Sequence, residues 1–285
     1  NANDVACMGA KPAWFLATIL LPEGASPELA SSLFDQILDA CQATEIELVG
    51  GHTEISHRLE RPIVVGAMLG EVEREQLVTG AGARPGDALI LTKGIAIEGT
   101  ALLAREATPD MLAQGLREET IEEAKGYIFA PGISVVKDAL TACRAARVHA
   151  MHDPTEGGLA TALHEMAEAA QVGIRVSQES VAVLAATEQI CRAVGLDPLG
   201  LLASGALLIA VDPTDAQAVT AALAGADIEA VTIGRIVNSE EGVIIEGPVK
   251  EIPVPRFAHD EIARFLAQRG TSSNPDLSGR FIRNA

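Results

Sequence analysis

The chain has 285 residues, 48% of them hydrophobic, and a formal net charge of −18. A chain of this length and apolar content buries a large core in one or two domains, and its apolar runs are shorter than a membrane span. The negative charge argues against nucleic acids and anionic membranes as partners, because both are themselves negative. Its cysteines are scattered without a C-x-x-C pair, which indicates reduced thiols in the cytoplasm.

The first elements alternate between strand and helix. The apolar run 13–21 predicts a buried strand, and Ser26-Pro27 supplies the N-cap and first turn of the helix that follows. Residues 46–49 predict a short strand that ends at a glycine pair, and residues 62–69 predict another. Together they form an αβ layer with too few elements to stand alone, so we expect a further segment before the first residue.

A polar, glycine-bearing stretch that ends in the turn Arg84-Pro85-Gly86-Asp87 indicates a domain boundary. We predict an N-terminal domain at 1–73 and a C-terminal domain at 74–269. The second domain alternates between strands and helices, which predicts an α+β or α/β fold. Residues 270–285 carry no periodicity and predict a mobile tail.

Within the second domain, apolar residues at helical spacing predict helices, and short apolar runs predict strands. The predicted helices are 98–105, 134–146 and 214–223, and the predicted strands are 88–92, 206–211 and 230–236. A further helix begins near Leu159. Its predicted buried face consists of Leu159, Leu163, Met166, Ala167 and Ala170.

The most informative stretch, 152–160, reads His-Asp-Pro-Thr-Glu-Gly-Gly-Leu-Ala. Glycines let backbone N–H groups approach an anion, and the start of a helix adds positive potential there. Asp153 is suited to hold a divalent cation that bridges to phosphate, because its own charge repels the phosphate. The alternative is that Asp153 and Thr155 only cap the helix.

Three other stretches place polar groups where a packed scaffold does not need them. Asp4 is followed by small residues ahead of a strand, which suits either a close ligand or an ordinary helix cap. Gly50-Gly51-His52-Thr53 follows a predicted strand end, a frequent position for a ligand site, and the alternative is a glycine-rich turn. Lys93 stands at another strand end as a cation that faces phosphate or, alternatively, solvent.

Common catalytic motifs are absent from the sequence. It contains no G-x-x-x-x-G-K-[ST] loop, no G-x-G-x-x-G after a strand, no G-x-S-x-G elbow and no H-E-x-x-H helix. This excludes the common nucleotide-binding, hydrolase and zinc-protease classes.

Four motifs in order resemble the aminoimidazole ribonucleotide (AIR) synthetase-related, or PurM-like, superfamily. They are Asn3-Asp4 with Met8-Gly9-Ala10, then Gly50-Gly51-His52-Thr53, then Arg84-Pro85-Gly86-Asp87, then residues 153–160. The superfamily includes selenophosphate synthetase, thiamine monophosphate kinase and the hydrogenase maturation protein HypE. Residues 153–160 and 195–199 are most similar to the HypE branch, and residues 51–53 are more similar to selenophosphate synthetase.

The resemblance implies a PurM-like two-domain fold, in which an N-terminal αβ domain pairs its strands across a homodimer and is followed by a C-terminal α/β domain. It also implies that ATP binds near the dimer interface with its phosphates held by Mg²⁺. Phosphoryl transfer suits such a site, because it needs positioning and charge neutralisation more than a protein nucleophile. The implied metal ligands are Asp4 and Asp153; the cofactor-binding residues are Gly50, Gly51, Thr53, Thr155, Gly157 and Gly158; the catalytic residues are His52 and Lys93.

We therefore expect a cytoplasmic, homodimeric, magnesium-dependent ATP-using enzyme that phosphorylates or activates a small-molecule acceptor, of phosphotransferase or synthetase type. HypE proteins end in a cysteine, whereas no cysteine follows Cys191 in this chain. The first alternative is therefore a HypE-like hydrogenase maturation factor that acts on a partner protein's thiol. The second is a nucleotide-binding scaffold without turnover.

Overall fold

In the computed structural model the chain divides between Leu77 and Val78 into two units. The structure describes the backbone of residues 1–273 and the side chains of residues 1–268. In this part of the chain, none of the helices has the length and apolar composition needed to cross a membrane. The exact limits of the predicted domains, 1–73 and 74–269, stay a prediction.

The first unit is a three-stranded sheet with two helices. Its elements are α1 (Ala2–Cys7), β1 (Lys11–Pro22), α2 (Pro27–Ala43), β2 (Glu47–Ser56) and β3 (Ile63–Glu71). β1 is the central strand, parallel to β2 and antiparallel to β3. The cap predicted for α2 is confirmed, since the Ser26 hydroxyl oxygen accepts a hydrogen bond from the Leu29 N–H at 3.2 Å.

β2 is longer than predicted. The predicted strand, 46–49, ends at the glycine pair, but β2 continues through both glycines to Ser56. In the ladder with β1, Gly50 lies beside Leu16 and His52 lies beside Thr18. A register shift between Phe15 and Leu16 accommodates the glycines inside the ladder. The prediction of a loop at 50–53 is therefore wrong: these residues belong to an edge strand of the described sheet.

The second unit has a seven-stranded sheet with helices around it. Its first elements are β4 (Ala88–Thr92), α3 (Ile97–Glu106), α4 (Thr108–Ala113), α5 (Glu118–Lys125), α6 (Val136–Ala145), β5 (Val148–His152) and α7 (Gly158–Ala170). The others are β6 (Gly173–Ser177), α8 (Ala185–Val194), β7 (Leu208–Val211), α9 (Ala216–Ala224), β8 (Ala230–Val237), β9 (Val243–Glu246), β10 (Glu251–Pro253) and α10 (Glu261–Ser273).

The direction of the strands determines which loops share an edge of the sheet. The strand order is β10-β9-β6-β8-β4-β7-β5, and β7 is antiparallel to both β4 and β5. β4 and β5 therefore run in the same direction, so their carboxyl ends lie at the same edge of the sheet. The residues that follow these two ends are Lys93 and Asp153.

The core of the second unit confirms the predicted face of α7. Leu159, Leu163, Met166 and Ala167 are at most 5% exposed, and only Ala170 is partly exposed. They pack with residues of the sheet in one apolar cluster, while a second cluster joins α3, α5 and α8. Spacing alone predicted this face correctly because α7 packs on the sheet along one side.

α10 continues to Ser273, past Gly270, at which the tail was predicted to begin. Helix formation there was missed because 270–273 offers a glycine and small polar residues rather than an apolar stripe. The remainder of the predicted tail, 274–285, lies outside the described residues.

Candidate functional site

In the first unit, four predicted site residues share one cavity. The cavity has a volume of about 350 Å³. Its walls are Ala17 and Ile19 of β1, Phe34 of α2, and a stretch of β2 that includes Gly50, Gly51, His52 and Thr53. The structure thus brings the predicted phosphate-binding residues of this unit together. Asp4 is on α1, with its side chain 77% exposed.

The two glycines of this cavity have different surroundings. A Cβ atom on Gly51 would lie 1.9 Å from the carbonyl oxygen of Ala17, so glycine is required there by the close approach of β1. A Cβ atom on Gly50 would have nothing within 4 Å. Packing within the chain therefore does not require glycine at 50, and the open space beside it is available to a ligand.

Gly51→Ala is expected to lower the free energy of unfolding by about 1–3 kcal/mol, because β1 or β2 must shift to admit the methyl group. Gly50→Ala is the matched control, and we expect it to change stability by less than about 0.5 kcal/mol. Urea denaturation of both variants measures the difference. Equal losses would contradict this account of the two glycines.

His52 is one of the residues that line this cavity. Its Nε2 lies 3.4 Å from an Oε2 atom of Glu54, and both side chains are more than half exposed. A surface pair of this kind contributes little to stability. The imidazole is therefore accessible to a ligand.

In the second unit, Lys93 and Asp153 follow strands whose carboxyl ends lie at one edge of the sheet. Lys93 does not extend into solvent, so the alternative prediction for this residue is wrong. Its side chain is 7% exposed and its ammonium nitrogen lies 3.1 Å from Oδ1 of Asp138 on α6. The ammonium group also donates to the carbonyl oxygen of Ser134 at 2.8 Å.

Burial lowers the pKa of Lys93, and the nearby Asp138 carboxylate opposes that shift. Sequence reasoning missed Asp138, which stands 45 positions after Lys93 along the chain. The available signal was its place in α6, one residue before the buried Ala139 and four before the buried Ala142. A carboxylate on the buried face of a helix needs a partner, and that requirement alone pointed to a cation nearby.

Asp153 lies in the loop between β5 and α7 and is 8% exposed. Thr155 fixes this loop, because its carbonyl oxygen accepts hydrogen bonds from the N–H groups of Gly158 at 3.1 Å and Ala203 at 3.2 Å. The loop is therefore held to the segment that precedes β7, which keeps Asp153 at the edge of the sheet.

Gly157 and Gly158, predicted to receive phosphate, already donate their N–H groups within the protein. The Gly157 N–H donates to Oδ2 of Asp260 at 2.7 Å, so a carboxylate of the chain itself takes the anion position at the start of α7. Gly158 has a positive φ of 66°, and a Cβ there would lie 2.5 Å from the Leu199 carbonyl oxygen. Both glycines thus shape and pack the loop, and their contact with phosphate stays a prediction.

No group of three or more His, Cys, Asp or Glu side chains within the described residues fits a metal ion.

The N-terminal domain of AIR synthase related proteins matches residues 1–72, and their C-terminal domain matches residues 84–246. The chain belongs to the AIR synthase related family. The recognition of this family from four short motifs is confirmed.

Among curated relatives, a Methanocaldococcus jannaschii protein provisionally assigned to hydrogenase expression and formation is 30% identical over 248 residues, which are 86% of this chain and 70% of that protein. The carbamoyl dehydratase HypE of Cupriavidus necator is 29% identical over 240 residues, or 83% of this chain and 65% of that protein. The chain thus spans about two thirds of the length of these AIR synthase related proteins, and the predicted likeness to the HypE branch is confirmed.

Solved structures confirm the PurM-like two-domain fold. HypE in complex with ATP has a TM-score of 0.76 at 24% identity, with 92% of this chain and 78% of that chain covered. HypE in the HypE–HypF complex has a TM-score of 0.73 at 23% identity, with 90% and 81% covered. Thiamine monophosphate kinase of Aquifex aeolicus has a TM-score of 0.68 at 22% identity, with 89% and 79% covered.

Proposed function

We propose that this AIR synthase related protein is a magnesium-dependent ATP-binding enzyme that phosphorylates or activates a small-molecule acceptor. The observation that carries the proposal is that Lys93 and Asp153 follow the carboxyl ends of β4 and β5 at one edge of the second unit's sheet. A cation and a buried carboxylate in this arrangement suit phosphate and a divalent metal respectively. The fold shared with ATP-bound HypE supports the same function.

The residues present fit magnesium. Mg²⁺ prefers oxygen ligands and is usually held by one or two carboxylates together with substrate phosphates and water. Asp4 and Asp153 are the proposed protein ligands, as the family resemblance implies. When bound, the metal neutralises phosphate charge and polarises the phosphoryl group.

The residues present also fit a nucleotide. In the first unit, the cavity beside Gly50 gives a phosphate access to the backbone, His52 donates a hydrogen bond and the Thr53 hydroxyl adds a further donor. In the second unit, the Lys93 ammonium donates to a phosphate oxygen. Thr155, Gly157 and Gly158 keep the loop in the shape that presents Asp153.

Calorimetric titration of ATP into the full-length protein, with and without magnesium, tests the proposal. Magnesium-dependent binding is the expected result, and a screen of small acceptors for ADP release then identifies the activity. Absence of binding under both conditions would refute the ATP-dependent function. Binding without ADP release for any acceptor would favour a nucleotide-binding scaffold.

A HypE-like maturation factor is the second candidate, favoured by the similarity to relatives named HypE. Three of the chain's cysteine thiols do not suit that chemistry. Burial raises the pKa of Cys191 to about 12, and it also raises the pKa values of Cys41 and Cys143. Few of these three thiols are thiolates at neutral pH, so they are poor nucleophiles, and a reacting thiol on a partner protein is the arrangement that we propose for this candidate. Co-purification with a hydrogenase maturation partner distinguishes this candidate.

We propose that the protein is a homodimer formed by the sheet of the first unit. The strand register places Leu16, Val65 and Leu69 on one face of this sheet, opposite the face on which Ala17 and Ile19 contact the cavity beside α2. These three side chains are 38%, 54% and 56% exposed. An exposed apolar sheet face of this kind indicates a protein interface.

Val65→Glu is expected to weaken self-association by at least about 100-fold, because the dimer would bury two unpaired carboxylates. Val64→Glu is the matched control. Val64 is 45% exposed and belongs to the other face of the same strand, so self-association should be unchanged. Sedimentation equilibrium measures both. Dimerisation of Val65→Glu with wild-type affinity would exclude this face as the interface.

A further inference from the structure

Lys93 and Asp138 form a buried ion pair at the wall of a cavity in the second unit that has polar groups in its lining. The cavity has a volume of about 740 Å³ and includes Lys93, Ser134, Lys137 and Asp138 in its lining. The side chains of the pair are 7% and 3% exposed. Lysine and aspartate are almost never buried this deeply unless they are paired, so each side chain fixes the other.

Asp138 is itself held by the strands. Its Oδ1 atom accepts a hydrogen bond from the Thr92 hydroxyl at 2.8 Å, and that hydroxyl oxygen accepts one from the Leu207 N–H at 3.1 Å. The carboxylate of α6 is therefore connected to the carboxyl end of β4 and to the residue before β7. Such a chain of bonds leaves the carboxylate little freedom to follow a moving partner.

The backbone of Lys93 is also constrained. Its φ of 59° lies in the left-handed region, which is uncommon for a residue with a side chain. Hydrogen bonds hold this conformation on both sides: the Lys93 N–H donates to the Glu229 carbonyl oxygen at 2.7 Å, and the Gly94 N–H donates to the Thr92 carbonyl oxygen at 2.6 Å. Strained residues of this kind concentrate at functional sites, where the surroundings impose the conformation.

The ammonium group keeps one donor for a ligand. It has three N–H groups, and Asp138 and Ser134 are the two acceptors that the described residues offer it. Because Lys93 lines the cavity, we expect an oxygen atom bound there to reach the third N–H group. The other charged side chains that line the cavity are Glu123, Lys137, Asp227 and Glu229.

We infer that Asp138 is a positioning residue for Lys93, which it holds at the cavity wall with one N–H group directed to a phosphate oxygen. The inference rests on the proposed function, because it assumes that Lys93 contacts the phosphates of ATP. Asp138 does not touch the nucleotide in this scheme. Its carboxylate keeps Lys93 charged and in place, against the burial that favours the neutral amine.

A double-mutant cycle in the full-length protein tests the inference. Lys93→Met and Asp138→Asn should each raise the dissociation constant of magnesium-ATP by about 10- to 100-fold, as expected for loss of a charged hydrogen bond. The double variant should bind no more than about 3-fold more weakly than either single variant, because both act through one contact. Additive losses would overturn the inference.

The protonation of Lys93, followed by NMR of ¹³C-labelled lysine, gives a readout that does not depend on ATP. Asp138→Asn should lower the pKa of Lys93 further than burial already does, because the opposing negative charge is gone. Glu122→Gln is the matched control: it removes an acid that pairs at 2.7 Å with Lys125, and it should leave both Lys93 and ATP binding unchanged. Thr92→Val keeps both charges and should weaken ATP binding by about 3- to 10-fold.

The possible outcomes distinguish failure of the proposed ATP-dependent function from failure of the positioning role of Asp138. A wild-type protein that does not bind magnesium-ATP would refute the proposed function, whatever the NMR titration shows. An unchanged pKa of Lys93 in Asp138→Asn would overturn the positioning role, even if ATP binds to the wild type. A lowered pKa with unchanged ATP affinity would also overturn it, because the pair would then serve only the packing of the second unit.

Discussion

Replacement of Asp153 by asparagine is expected to abolish magnesium-dependent ATP binding and to leave the fold intact. The amide keeps the size of the side chain and one of its oxygen atoms, but it loses the charge that attracts the metal. We expect the affinity for ATP in the presence of magnesium to fall by at least about 100-fold, to the level measured without the metal. Calorimetric titrations of wild type and variant, with and without magnesium, measure this.

The loss of stability caused by Asp153→Asn is expected to be small. Asp153 is 8% exposed and is followed directly by a proline, so an amide of the same shape fills the same space. We expect the free energy of unfolding to change by about 1 kcal/mol or less. If stability collapses and binding persists, Asp153 is a structural residue of the loop and the metal site is elsewhere.

Asp87→Asn provides the opposite control, because it changes another buried carboxylate of the same unit. Both Oδ atoms of Asp87 lie 2.9 Å from Nδ1 of His149, and Oδ2 accepts a hydrogen bond from the Arg84 N–H at 2.9 Å. These contacts hold the turn before β4. We expect Asp87→Asn to lower stability and to retain magnesium-dependent ATP binding, the reverse of Asp153→Asn.

The sequence predicted those parts of the fold that depend on neighbours along the chain. β1 contains the mainly apolar run 13–21, and α2 begins where Ser26 and Pro27 supply its cap and first turn. The buried face of α7 followed from the spacing of Leu159, Leu163 and Met166. In each case the signal lies within one element, and packing reinforces it.

The prediction of strand ends from the sequence was wrong where glycine has more than one structural role. The pair Gly50-Gly51 was read as the end of a strand, because glycine is common in turns. In the structure Gly51 lies inside β2, where the Ala17 carbonyl oxygen leaves no space for a side chain. A contact with a neighbouring strand determines the residue there, and such a contact has no signature in the local sequence.

Several groups of the candidate site depend on residues far apart in the chain. Asp138 stabilises Lys93 from α6, and Asp260 takes the N–H of Gly157 across 103 positions. Local sequence patterns do not identify which residue each aspartate contacts, because the partner lies far away along the chain. Only the fold shows that Lys93 is a buried cation with a fixed partner and that the start of α7 already holds a carboxylate.

These two pairs bear differently on phosphate binding. At the start of α7 the Asp260 carboxylate accepts from Gly157 directly, so an incoming phosphate would have to displace a charged acceptor. At Lys93 the carboxylate shares the ammonium group with a carbonyl oxygen and leaves a third donor. The second arrangement accepts a phosphate oxygen without breaking a bond, which makes Lys93 the stronger candidate for phosphate contact in this unit.

Replacement of Leu163 by alanine is expected to lower the free energy of unfolding by about 2–5 kcal/mol and to leave the affinity for magnesium-ATP within about 3-fold of wild type. Leu163 is 1% exposed in the apolar cluster between α7 and the sheet. It also borders an apolar cavity of about 390 Å³, which the substitution would enlarge. Urea denaturation and calorimetric titration of the same preparation measure the two quantities.

The control for this substitution is Leu112→Ala on α4, where the side chain is 46% exposed. It removes the same atoms from a position already in contact with water, so we expect a loss below about 1 kcal/mol. A cost near zero at Leu163 would show that the cluster collapses into the neighbouring cavity and that α7 does not depend on this face. Loss of ATP binding together with a small stability cost would instead connect this face of α7 to the Asp153 loop. It would show that the buried face of α7 contributes to ATP binding and not only to stability.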